Sequence, residues 1–144
     1  MRSALSAWLR TSRVRQPPPS QPLAAAVLLV EIAKADFQRE AVELDLIRAM
    51  LVETFALTPE TAAQLVDEAI AQSQRSVSLH EYVGTLNQKM DAAEKERLLG
   101  WLWQVAHADG RVDPYEEALI RQMADWLYVP HSAFVRQRLQ VAGG

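Results

Sequence analysis

The sequence predicts an all-α protein of about seven helices, arranged as two pseudo-symmetric repeats around two central antiparallel helices. Three observations predict it. Apolar residues recur at helical spacing through most of 23–141, and no alternating strand segment competes with them. Helix-start signals precede the periodic stretches. Finally, AKADFQREAVELDLIRAM at 33–50 and AHADGRVDPYEEALIRQM at 106–123 align at a constant offset of 73 without a gap, and eight of their eighteen positions are identical.

Residues 1–22 read as a basic N-terminal arm and Pro-rich linker ahead of a helical domain at 23–144. Pro17, Pro18, Pro19, Ser20 and Pro22 are expected to lie outside any helix, because proline lacks the N–H and clashes with the preceding turn. The arm, MRSALSAWLRTSRVRQ, reads either as a frayed basic tail or as a weak amphipathic helix with Leu5, Trp8 and Leu9 on one side. Leu23 to Asp36 and Arg97 to Asp109 are apolar almost all round, the pattern of helices buried on most faces, and should be the two central ones. Arg39 to Phe55 carries a stripe of Glu43, Leu46, Ile47, Met50, Leu51 and Thr54. Pro114 to Leu127 carries the matching stripe of Glu116, Leu119, Ile120, Met123, Trp126 and Leu127. Thr58-Pro59 starts a helix reaching Ala71, with threonine as N-cap and proline in the first turn. Ser78 to Glu81 and Asp91 to Glu94 have the capping-box pattern and open helices running to about Met90 and Asp109. A last helix covers His131 to Val141.

After a one-residue slip Phe55-Ala56-Leu57 aligns with Leu127-Tyr128-Val129, so the chain reads as helix, acidic turn, helix, helix, written twice at about 23–73 and 91–141. Leu28 and Val30 correspond to Trp101 and Trp103, a large-against-small pairing suited to filling one core. Trp101, Trp103 and Trp126 are all expected in that core, and Arg48 and Arg121 on the surface.

Composition bounds the function. At 144 residues the chain suits a single domain that buries roughly 68% of its unfolded surface. The net charge of −3 is unevenly spread: Arg2, Arg10, Arg13 and Arg15 give the arm +4, leaving 11 basic against 18 acidic residues, or −7. Such an acidic body argues against a nucleic-acid partner, which needs a clustered basic surface. There is no cysteine, hence no disulfide, thiolate zinc site or thiol nucleophile. No apolar run approaches the roughly 20 residues of a spanning helix, and a soluble cytoplasmic protein is expected, with peripheral membrane contact through the arm. The five glycines form no phosphate-cradling loop, and neither Glu-x-x-His nor Gly-x-Ser-x-Gly occurs.

The second acidic stretch is not a calcium-binding EF-hand. With Gly110 at the sixth position of that loop, its first and third positions would be Val105 and His107, where oxygen donors are required. At the paired Ala-x-Ala-Asp turns the chain resembles the TerB-like family, a tellurite-resistance-associated fold also found at the front of some membrane-anchored co-chaperones. LLVEIAKAD at 28–36, FALTPETAAQLVDEA at 55–69 and VAHADGRVDPYEEALIRQMADWLYVP at 105–130 carry the resemblance, over about 23–141. It implies two repeated helical units, no known catalytic activity, a role through protein partners in a stress response, and a divalent-metal site in the acidic turns. Carried over by position, the metal residues are Asp36 and Glu43 in the first turn and Asp109 and Glu116 in the second, with Glu40 and Asp113 as additional candidates. The first turn departs from the family's Asp-Gly by having Asp36-Phe37.

Two features of the residues themselves bear on that site. Asp36 and Asp109 are expected to end their helices, where the macrodipole disfavours an anion. Glu43 and Glu116 fall on the apolar stripe, where a carboxylate needs a cation, an arginine or capped backbone amides as partner. Asp113-Pro114-Tyr115-Glu116 also reads as a capping box in which nothing binds. An oxygen-only set suits calcium, magnesium or manganese. The leading expectation is a non-enzymatic, metal-binding module; a metal-dependent enzyme and a metal-free adaptor are the alternatives.

Overall fold

The computed structural model describes residues 17–34, 41–75, 78–108 and 112–143. Among them are seven α-helices and no strand: α1 (Gln21–Lys34), α2 (Ala41–Phe55), α3 (Pro59–Gln74), α4 (His80–Lys89), α5 (Ala92–Ala106), α6 (Pro114–Trp126) and α7 (His131–Gly143).

Helix α1 starts two residues earlier than its sequence suggests. Ser20 Oγ accepts the Leu23 N–H at 3.2 Å, and Ser20 O accepts the Ala24 N–H at 2.9 Å, so Pro22 sits inside the first turn. Proline is tolerated there because its missing N–H would have had no intrahelical partner. Nine of the fourteen α1 residues are buried, from Ala24 to Ala33. The small side chains at Ala24, Ala25 and Ala26 let neighbours approach closely, and α1 packs against α2, α3, α4, α5 and α6. Helix α5 buries Leu98, Leu99, Leu102, Trp103, Val105 and Ala106 and packs against α1, α2, α6 and α7. Helix α1, with almost no polar face, is thus the innermost, while α5 buries mainly its apolar C-terminal half.

The caps follow the local chemistry with one exception. Thr58 Oγ1 accepts the Thr61 N–H ahead of α3, and Asp91 forms a complete capping box with Glu94 ahead of α5. Ser78 and Glu81 form no such box. Ser78 Oγ instead accepts the His80 N–H two residues on, and Leu79 occupies the N-cap position of α4. Helix α5 also stops sooner than expected: it ends at Ala106, with His107 as its C-cap donating its N–H to Trp103 O, so it does not run to Asp109.

The turn between α2 and α3 and the turn between α6 and α7 share one backbone design. Ala56 and Tyr128 both lie in the left-handed region, at φ 54° and 59°. Leu57 donates to Val52 O at 3.2 Å and Val129 to Ala124 O at 2.9 Å, the six-to-one bond that closes a Schellman motif. Each turn then opens a helix, α3 at Pro59 and α7 at His131, 72 positions apart.

Trp103 is buried and packs 5.4 Å from Phe134, whereas Trp101 is only partly buried. Trp126 corrects the expectation that all three tryptophans are core: it is 37% exposed. It is the last residue of α6, ahead of the buried Leu127 that closes the stripe, and Thr54 at the matching position of α2 is exposed too. Arg48 and Arg121 are surface residues, the first paired with Asp45 at 2.8 Å and the second 4.9 Å from the Phe134 ring.

Candidate functional site

Each acidic stretch delivers a glutamate to the first turn of an amphipathic helix. Glu43 is the third residue of α2 and Glu116 the third of α6, and both are buried, at 1% and 2% exposure. The sequence reason is the same in both: the glutamate begins the stripe continued by Ile47 and Met50 or by Ile120 and Met123, all buried. Burying a carboxylate is costly, and a helix N-terminus offsets part of that cost, because its unbonded N–H groups and macrodipole favour an anion by about 0.3–1 kcal/mol or more.

The second turn shows how the local bonds are made. Asp113, the N-cap of α6, accepts the Glu116 N–H on Oδ1 at 2.8 Å, and Glu116 Oε1 accepts the Asp113 N–H at 3.1 Å. Pro114 occupies the first helical position, where no donor is required. Glu116 is therefore both the buried end of the stripe and the closing member of a capping box.

Of the six residues singled out from the sequence, Glu43, Asp113 and Glu116 have positions in the described structure. Asp36, Glu40 and Asp109 lie outside the described residues, as does the departure at Phe37. Among the described residues no group of three or more His, Asp or Glu side chains is gathered closely enough to hold a metal ion. The three described residues fit a hard cation in donor type, being carboxylates without nitrogen or sulfur.

Just before the first acidic turn lies a polar link that sequence reasoning missed. Ser73 Oγ donates to Glu31 Oε1 at 2.7 Å, and Lys34 Nζ donates to Ser73 O at 3.1 Å. Lys34 thereby caps a terminal carbonyl of α3 and ties it to the end of α1. A charged Glu31 inside an otherwise apolar helix was the signal. The aromatic pair beside the α6–α7 turn, Trp126 and Tyr128, was missed as well; comparing that turn with its counterpart at Thr54 and Ala56 would have exposed it.

An all-helical module with two buried first-turn glutamates at matching register defines the class. The chain belongs to the TerB family: the model of that family, described as tellurite resistance protein TerB, matches residues 22–139. Comparison with curated proteins and with solved structures gives no match. Among the described residues no helix is long and apolar enough to cross a membrane.

Proposed function

We propose that this TerB-family chain is a non-enzymatic helical module that acts through protein partners in a stress response of the tellurite-resistance type, and that its two acidic turns hold a divalent cation. The observation that carries the metal reading is the burial of Glu43 and Glu116 at equivalent places, two carboxylates withdrawn from water in both halves of one chain. Asp36, Glu43, Asp109 and Glu116 would hold the ion, with Glu40 and Asp113 beside them. Calcium, magnesium or manganese fits an oxygen-only set, and when bound it would neutralise the buried carboxylates.

The same reading takes the molecule as two pseudo-symmetric repeats. It is supported by helix starts that recur at offsets of 71 to 73, by the paired left-handed residues Ala56 and Tyr128, and by equivalent packing in each half: α1 with α2 and α3, α5 with α6 and α7. The residues ahead of α1 then form a basic arm suited to anionic membrane surfaces.

The test is a thermal melt of the full chain with millimolar calcium, magnesium or manganese. At a hundred times its dissociation constant a ligand contributes about 2.7 kcal/mol, readily visible in a domain of this size. The shift should disappear in Asp109→Asn/Glu116→Gln while the apo protein stays folded, since glutamine also closes a capping box. One observation favours a second reading, a metal-free adaptor: the Asp113–Glu116 box is already complete. On that reading no cation shifts the melt.

A further inference from the structure

The turn between α6 and α7 carries two exposed aromatic rings that its counterpart lacks. Trp126 is 37% exposed and Tyr128 79%, whereas the matching positions hold Thr54 and Ala56. Both turns have the same left-handed residue and the same closing hydrogen bond. The turn itself therefore has no need of the rings, and a bulky side chain at φ 59° is strained. Large apolar side chains kept in water at such a place mark a contact surface.

They flank a groove of about 490 Å³ between α4 and the end of α6, with Leu79, Val83 and Gly84 among its lining residues. Asp125 is the carboxylate that lines it, and no ion pair reaches Asp125 among the described residues. Lys95 lies 5.7 Å from the Tyr128 ring centroid, so one of the two rings already has a cation. Trp126 offers the better quadrupole for another. An apolar lining, an indole and a carboxylate together fit a cationic amphipathic segment.

Residues 1–16 are such a segment. They hold Leu5, Trp8 and Leu9 with four arginines and no acid, against a charge of −7 on the rest of the chain. Their point of attachment is close. Gln21, the first residue of α1, shares a cavity with Met90, which follows the last turn of α4, while Asn87 one turn earlier lines the groove. The seven-residue rise from Val83 to Met90 is about 10 Å, and the five residues from Gln16 to Ser20 span about 15 Å when extended.

We propose that residues 1–16 dock in cis into the groove between α4 and the α6–α7 turn, with an arginine of the arm pairing with Asp125 over the Trp126 ring and the arm's apolar side chains covering Leu79 and Tyr128.

The absence of native cysteine makes the test clean. In the full chain, Leu9→Cys is combined with Gly84→Cys, a position where an added Cβ meets nothing within 4 Å. Leu9→Cys with Ala49→Cys, on the exposed side of α2, is the reference pair. Under mild oxidation at micromolar concentration, the Gly84 pair should form an intramolecular disulfide at least tenfold faster than the reference. Adding Asp125→Asn and Trp126→Ala should bring it down to the reference rate. Should Gly84→Cys perturb α4, His80→Cys on the same groove and exposed serves in its place. Equal rates for the two pairs, insensitivity to the Asp125 and Trp126 changes, or a product that is mainly a cross-linked dimer would each overturn docking in cis, the last by assigning the groove to the arm of a second copy.

Discussion

At Ala56 and Tyr128 the backbone is held at φ 54° and 59°, a region that costs a residue with a Cβ about 1 kcal/mol or more. Each residue lies where a helix must reverse into the next one, and the six-to-one bond to Val52 or Ala124 leaves no other conformation available. Glycine would relieve that strain. Ala56→Gly should raise stability by about 0.5–1 kcal/mol in chemical denaturation. Tyr128→Gly should gain less, because it also removes the ring beside Lys95. A loss of stability in both variants would mean that the strain is absent or is offset by packing.

At the scale of elements, α7 is fastened to α5 by one polar cluster. Arg136 donates from Nε and a terminal nitrogen to the two oxygens of Glu96, each at 2.9 Å, and Gln137 Nε2 donates to Glu96 Oε2 at 2.8 Å. The hydrogen bonds from Arg136, and then from Gln137, lower the Glu96 pKa from 4.5 to about 2. A carboxylate with a depressed folded-state pKa contributes its stabilisation above the unfolded value. The contribution is lost as pH falls from about 4.5 toward 2. Arg136→Gln should move the Glu96 titration, followed by carboxyl NMR, back toward 4.5 and flatten the acid dependence of stability over that window. Gly100 on α5 faces the same cluster: a Cβ there would come 2.6 Å from Gln137 Oε1. Alanine is favoured over glycine in a helix interior by about 1 kcal/mol. Gly100→Ala should therefore stabilise more in a Gln137→Ala background than in the native one, a coupling that a double-mutant cycle measures directly.

Over the whole molecule, the buried side chains form one core shared by both halves, from Ala24 on α1 to Phe134 on α7. Trp103 belongs to the second half, yet it lies in the same cluster as Leu28 and Val30 of the first, all nearly inaccessible to water. Truncating it should therefore be felt by every helix. Trp103→Ala is expected to cost about 3–5 kcal/mol, and the chain should still unfold in a single transition by both circular dichroism and tryptophan fluorescence. Two separated transitions would show instead that the halves fold independently.

By itself the sequence determined the helices, their order and the burial of the two glutamates. Those properties follow from local chemistry: the 3.6-residue period places Glu43 with Ile47 and Met50, and Thr58-Pro59, Asp91 and Asp113-Pro114 specify helix starts through their own side chains. The family was legible too, because its acidic turns and repeated order survive as short strings. Only the tertiary structure decided which residue of a stripe reaches water. Trp126 obeys the spacing of its stripe, yet it borders the groove beside α4 and stays 37% exposed while Leu127 next to it is buried, because burial depends on what packs opposite. The link from Lys34 and Glu31 to Ser73 and the groove beside Tyr128 likewise depend on contacts between residues distant in the chain, which local pattern does not encode.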